Sequence, residues 1–301
     1  MNWQYDLAVA AVSFVVFYLL DELIVKTGFF PKSDKNGRYF TLHVVCNLVV
    51  TLVHVDDLLF TYMHPMEAAF VECDCFGTDV MFALHVYHMV AFLPLAYVDW
   101  LHHIIMIGIT LPMSYIVQPG SLLGHGTFYA TGLPGGIDYA MLVAVKKGWM
   151  KSVTEKRYNS NIQQWIRSPG CVIDAFLVWI SWVEYCRRAD AGMSPITPNT
   201  SLYNTAPRWV IFVITFFNLA TIFWNGPYFS KRVIESHTRH ALRDKLRREL
   251  EEELAAGGGA ARSTTTGKQT STAAPAGKKP ANGTAAAGAA APGARRRAKA
   301  D

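Results

Sequence analysis

The sequence predicts an all-α membrane protein, a bundle of about seven transmembrane helices (six to eight) followed by a disordered C-terminal tail. Three observations predict it. Of the 301 residues, 51% are hydrophobic, and these are gathered into long runs instead of being spread along the chain. Lysine and arginine collect in alternate loops between those runs. After Pro227 the composition turns first to charged and then to small, polar residues.

A helix that crosses the hydrocarbon core needs about twenty apolar residues. Runs of that kind occupy residues 7–25, 39–62, 77–97, 101–117, 171–185 and 209–224. A seventh, at 122–145, is weaker, because its glycines and Pro134 also fit a re-entrant or broken helix lining a cavity. The first run has no basic flank and no small-residue cleavage site, so it reads as a span that stays in the chain. Pro94 and Pro112 are expected to kink the third and fourth spans and open a cavity between them.

Basic loops set the orientation, since short cytosolic loops favour Lys and Arg. Lys26, Lys32, Lys35 and Arg38 follow the first run, Lys146, Lys147, Lys151, Lys156, Arg157 and Arg167 follow the weak one, and Lys231 and Arg232 open a basic tail. With seven spans all of these lie on the cytosolic side, together with the C-terminus. The acidic loop with Glu67, Glu72 and Asp74 then lies outside, and only Arg187 and Arg188 run against the pattern. The expected organisation is a first helix and cytosolic loop (1–38), a transmembrane domain (39–229), a charged cytosolic helix (230–254) and a disordered Ala/Gly/Lys-rich tail (255–301). The tail has too few large apolar side chains to offset its chain entropy.

Several classes of function recede on these grounds. The net charge of +5 resides largely in a tail without a folded, aromatic-studded surface, so no nucleic-acid partner is expected. Cys46, Cys73, Cys75, Cys171 and Cys186 have no metal-framework spacing. The sequon at Asn199 falls in a short loop on the outer side. Six glycines between residues 120 and 136 point to close helix packing or to backbone lining a cavity.

Eight of the ten histidines precede residue 130. His102 and His103 stand at the head of an apolar run with Asp99 three and four residues upstream, on the same helical face, where its carboxylate can orient an imidazole. His85 and His88 lie deeper in the preceding span, and His43, His54, His64 and His125 are scattered. A hairpin turning near Val98 would separate His88 from His102 axially by on the order of 10 Å, whereas ligands to one ion need nitrogens about 2 Å from it. No metal site is therefore expected. Two alternatives stay open: the pair anchors at the interface while Asp99 caps a helix, or it is a reactive site.

The segment Leu84-His85-Val86-Tyr87-His88 resembles part of the histidine box of fatty-acid elongases, with Met89 where that box has a further histidine. A longer resemblance begins at Arg38-Tyr39-Phe40-Thr41-Leu42-His43 and runs for about two hundred residues. The order of spans, Asp99-Trp100-Leu101-His102-His103, Ser114-Tyr115, and a last span with Asn218 and Trp224 resemble the TLC family, which includes ceramide synthases. That resemblance implies an endoplasmic-reticulum or other endomembrane protein of lipid metabolism, with His102 and His103 in the catalytic positions. One element departs from it: Gly135-Gly136-Ile137-Asp138-Tyr139 offers a single aspartate where ceramide synthases carry His-Asp-x-x-Asp.

The chemistry expected is acyl-CoA-dependent N-acyl transfer to a long-chain amine, which needs a base for the amine or a histidine nucleophile for the acyl group. Asp99, His102 and His103 are the catalytic candidates, and Asp138, Ser114, Tyr115, His85 and His88 the substrate-binding ones. Acyl-CoA is a co-substrate and no resident cofactor is expected. Membrane lipids are the expected partners, and a homo-oligomer is compatible with the sequence. The alternative is a non-catalytic TLC protein that binds lipid, senses membrane composition or escorts cargo. An elongase-like acyl-chain enzyme is a minor alternative.

Overall fold

The structure is a computed structural model that describes residues 3–72, 74–193, 196 and 202–263, without the side chains of Val98 and 255–263. Cys73, the sequon at Asn199 and the tail from residue 264, with Arg295 to Arg297, lie outside the described residues. The chain divides into two compact units, residues 1–248 and residues 249–301.

Among the described residues the fold is helical, without strands, and forms seven rods. The first is α1 (Trp3–Lys26). The second is α2 (Lys35–Val53) with α3 (Val55–Met63), bent by 40° at their junction. The third is α4 (Phe76–Ala91). The fourth joins α5 (Tyr97–His102) to α6 (Leu111–Val117) through a π-helical stretch, His103–Thr110. The fifth joins α7 (Ser121–Thr127) to α8 (Leu133–Lys146) through Phe128–Gly132. The sixth joins α9 (Ser152–Ile162) to α10 (Ser168–Asp190) through Gln163–Arg167. The seventh is α11 (Arg208–Ser263), which runs unbroken from the last apolar run into the charged segment and past residue 254, where the tail was expected to begin.

Each rod matches one apolar run of the sequence, and the weak run is uninterrupted helix from 121 to 146. Among the described residues, four helices are long and apolar enough to cross a membrane, or five if the bent α2–α3 pair is one span. This is fewer than the seven crossings expected. One physical reason is length, since α4 has 16 residues, about 24 Å at 1.5 Å per residue.

The π stretches have a common cause in the sequence. Pro112, Pro134 and Pro169 each occupy the opening turn of the α-helix that follows a π stretch. A proline ring lacks the N–H of the helical ladder and crowds the carbonyl four residues back. Those carbonyls belong to Gly108, Ala130 and Trp165, all inside π stretches, where the wider i→i+5 turn relieves the clash. Pro94 instead falls in the link between α4 and α5. It kinks no span, contrary to the sequence expectation.

Side-chain contacts fix the alternation of the rods. At one end Lys35 Nζ donates to the Leu93 carbonyl (2.7 Å), and Lys146 Nζ meets the Asp34 carboxylate (3.0 Å). Asp34 also caps α2 by accepting from the Gly37 N–H (3.0 Å). At the other end Arg208 pairs with Asp190 (2.5 Å) and Arg188 with Glu67 (2.6 Å). Glu184 takes Arg187 in a bidentate pair (2.6 and 2.7 Å) and Arg188 at 2.8 Å. The two arginines that broke the loop-charge pattern are thus matched by local carboxylates.

The outer surface is apolar between two aromatic girdles. Leu7, Val12, Leu19, Leu48, Phe176 and Phe216 are exposed, while Tyr97, Trp149 and Trp165 mark one end and Trp3, Tyr62 and Trp209 the other. Exposed apolar area on that scale is unusual for a protein surrounded by water, and Trp and Tyr favour the two membrane–water interfaces. Several apolar helices of this kind are consistent with an integral membrane protein.

Glycine lets two rods approach at Gly124. A Cβ there would lie 2.0 Å from Asp57 Oδ2 and 2.6 Å from Asp57 Cβ, and the Asp57 carboxylate is itself held by His54 Nδ1 at 2.8 Å. Gly124→Ala should force α7 away from α3 and cost about 1–3 kcal/mol. A thermal-unfolding midpoint in detergent equal to the wild type would contradict that packing.

Candidate functional site

Five histidines converge where the sequence expected them to stay apart. His43 of α2, His85 and His88 of α4, and His103 of the fourth rod are buried, with ring centroids 5.8 Å apart for His43 and His85, 5.3 Å for His85 and His103, and 5.1 Å for His88 and His103. His102 lies 5.8 Å from His85 and 5.7 Å from His103. The expected axial gap fails because the hairpin turns between Ala91 and Tyr97 rather than near Val98. His88 is then about one turn from the end of its helix and His103 within two turns of the start of the next, which brings them level. Among the described residues, no three His, Cys, Asp or Glu side chains are placed to hold a metal ion.

Backbone carbonyls fix the tautomers. His43 Nδ1 lies 3.0 Å from the Tyr39 carbonyl and His85 Nδ1 2.7 Å from the Met81 carbonyl, while His103 Nδ1 bonds the Asp99 carbonyl. A carbonyl only accepts, so in the neutral rings each Nδ1 carries the proton and each Nε2 a lone pair. His88 Nδ1–H then donates to His103 Nε2 at 3.3 Å. The sequence had assigned the orientation of the imidazole to the Asp99 carboxylate. The contact is made instead by the Asp99 main chain, because a residue four positions back in a helix presents its carbonyl toward the ring.

Aromatic rings brace this cluster. Tyr39 packs on His43 (4.0 Å) and His88 (4.1 Å), and its hydroxyl meets that of Tyr139 at 2.9 Å. Tyr139 in turn packs on His43 at 4.4 Å.

The cluster forms the polar head of a cavity of about 390 Å3, within the size range of small-ligand sites. His43, His85, His102, His103, Asp99 and Asp138 line it, as do Gln163, Arg167 and Asn225. Beyond them Met106, Ile107, Leu111, Leu122, Leu123 and Ile222 give it apolar walls, and Ser114, Ser181 and Tyr203 stand toward its other end. From His102 to Val117 along the fourth rod is on the order of 20 Å. All three π stretches contribute wall residues: His103, Met106, Ile107 and Thr110 from the first, Ala130 and Thr131 from the second, and Gln163 and Arg167 from the third. Such stretches recur at functional sites because they turn side chains out of the regular helical face.

Six of the eight sequence candidates therefore line one cavity: His102, His103, Asp99, His85, Asp138 and Ser114. Two do not. Tyr115 points away and donates its hydroxyl to Asp79, since its neighbour Ser114 takes the inward face and donates to the Thr110 carbonyl at 3.0 Å. His88 sits behind His103 as its hydrogen-bond donor.

Sequence reasoning missed a polar ladder on the sixth rod. Glu155, Asn159, Gln163 and Arg167 recur every fourth residue, one helical face. Asn159 Nδ2 donates to Asp138 Oδ1 (2.6 Å) and Glu155 Oε1 (3.3 Å), Gln163 Nε2 donates to Asn159 Oδ1 (3.2 Å), and Arg167 Nη1 reaches Gln163 Oε1 (3.5 Å). The four-residue spacing is readable in the sequence, where Arg167 alone of the four figures, as a loop charge. No family model, curated protein or solved structure matches this chain.

Proposed function

We propose that this chain is a multi-pass membrane protein of the TLC type that acts in lipid metabolism by transferring an acyl group from acyl-CoA to a long-chain amine. What supports this is the cavity itself, whose paired histidines stand at its polar head and whose apolar walls extend on the order of 20 Å beyond them. In this proposal the seven rods all cross the bilayer of the endoplasmic reticulum or another endomembrane. The basic end, where Lys35, Lys146 and the histidines lie, faces the cytosol and the acyl-CoA pool.

The acyl chain lies along the apolar walls with its thioester carbonyl at the histidines. The amine nitrogen forms a bond to that carbonyl carbon and the carbon–sulfur bond breaks. His103 Nε2, oriented through its Nδ1–H, takes the amine proton and delivers it to the departing thiolate. His102 Nδ1 is buried without a partner and flanks the same reaction centre, and Asp138 supplies a polar contact for the amine.

A non-catalytic lipid-binding protein is the second proposal. It is favoured by one observation, that the His103 Nε2 lone pair already accepts from His88. Purified protein supplied with long-chain acyl-CoA and long-chain amines separates the two. The enzyme should form amide and free CoA, and the His102→Ala, His103→Ala double variant should form neither while expressing and inserting normally. Lipid binding by the wild type with no amide from any such amine would leave the binding protein standing.

A further inference from the structure

Arg167 is a cation in the wall of the cavity without an anion to meet it. Its guanidinium packs over the Phe229 ring at 4.9 Å, and His102 meets the same ring edge-on at 5.7 Å. Arg167 Nη2 donates to Asn225 Oδ1 at 3.0 Å and Nη1 to Gln163 Oε1 at 3.5 Å, both neutral amides. Its Nε is buried with no acceptor. Among the described residues it makes no ion pair within 4.0 Å. Three carboxylates also line the cavity, Asp99, Asp138 and Asp174, and none of them pairs with Arg167 within 4.0 Å; Asp138 accepts from Asn159 at 2.6 Å, and Asp174 from His125 at 2.7 Å.

A charge withdrawn from water is costly in every state unless something pairs with it. An oxyanion that exists only during a reaction would leave that cost in place the rest of the time. A ligand with a permanent charge removes it. Arginine also suits carboxylates and phosphates in particular, through its planar fork of donors.

We propose that Arg167, positioned by Asn225 and Gln163, is an anion site at the polar head of the cavity, and that the lipid bound there carries a fixed negative charge, a carboxylate or a phosphate. This rests on the reading of the cavity as a lipid site. The headgroup is drawn to the third π stretch, beside His102, and the chain extends past Met106 and Leu122.

The full chain in detergent, given palmitate, palmitoyl lysophosphatidate or the uncharged methyl ester of palmitate, tests this in a direct binding titration. At least one anion should bind about 10–100-fold tighter than the ester, the worth of a hydrogen-bonded charge pair. Preference for palmitate alone identifies a carboxylate site, and preference for the lysophosphatidate identifies a phosphate site. Arg167→Gln should abolish the preference while Arg167→Lys keeps part of it. Asn225→Asp, a nearly isosteric change that gives Arg167 an internal carboxylate, should abolish it too and serves if Arg167→Gln does not fold. Equal binding of the ester and both anions overturns the proposal, as does a preference that survives in Asn225→Asp. Selective binding without amide formation would remove the proposed reaction and leave the anion site, whereas amide formation without selectivity would do the reverse.

Discussion

His103→Ala is expected to lower the proposed acyl transfer by about 10²–10⁴-fold, the usual contribution of a positioned general base, with little change in the affinity for acyl-CoA. The ring is buried, its Nδ1 bonds the Asp99 carbonyl, and its Nε2 faces the His88 ring that donates to it, so its orientation is set from both sides. The origin of that orientation makes a sharper contrast. Because the Asp99 main chain holds the ring, Asp99→Asn should leave turnover within about 10-fold of the wild type. Loss of an orienting carboxylate would cost about 10⁴-fold. Turnover measured for the two variants side by side decides whether backbone or carboxylate positions the base. A large loss in Asp99→Asn would overturn the assignment.

The largest effect on stability is expected at Asp21, which does not line the cavity. Asp21 is 2% exposed. Its carboxylate takes Arg38 Nε at 2.7 Å and Nη2 on the other oxygen, and Tyr87 donates to it at 2.7 Å. Three rods are joined at that point, α1 through Asp21, α2 through Arg38 and α4 through Tyr87. Asp21→Asn leaves the guanidinium buried beside a neutral amide, a change that costs about 3–5 kcal/mol when one partner of a buried pair is removed. The unfolding midpoint in detergent should fall steeply, and Arg38→Met together with Asp21→Leu should recover much of the loss, since a buried pair replaced by apolar side chains is often neutral. A single variant as stable as the wild type would mean that the three rods are held by packing alone.

The helical rods were legible in the sequence because apolar runs of membrane length announce themselves one by one. Their number as membrane crossings was less so, because α4 is short and the glycines of the fifth rod dilute its hydropathy. The site was legible in part. His102 and His103 stood out as adjacent ionisable groups at the head of an apolar run, and Asp138 and Ser114 came with the resemblance. The five-histidine cluster was hidden by the position of one turn, since a shift from Val98 toward Leu93 changes which residues face each other. The roles of Ser114 and Tyr115 turned on the π stretch before them, which resets the helical register. Such a stretch has no periodic signature, although Pro112, Pro134 and Pro169 mark where all three end. Arg167 was hidden by its surroundings in the chain, a basic segment in which a half-buried arginine that lines a cavity looks like any other loop charge.

The cavity's use as an acyl site is tested most directly by where an acyl chain lies. Palmitoyl-CoA with a photoreactive diazirine at its terminal carbon, bound to the purified protein, irradiated and mapped by peptide mass spectrometry, gives that position. Adducts are expected at the end of the cavity remote from the histidines, on Ser114, Val117, Leu122 or Leu123, competed away by unmodified palmitoyl-CoA. Adducts confined to the exposed outer faces of α1 and α10, such as Leu7, Val12 and Phe176, and unaffected by competitor would contradict it.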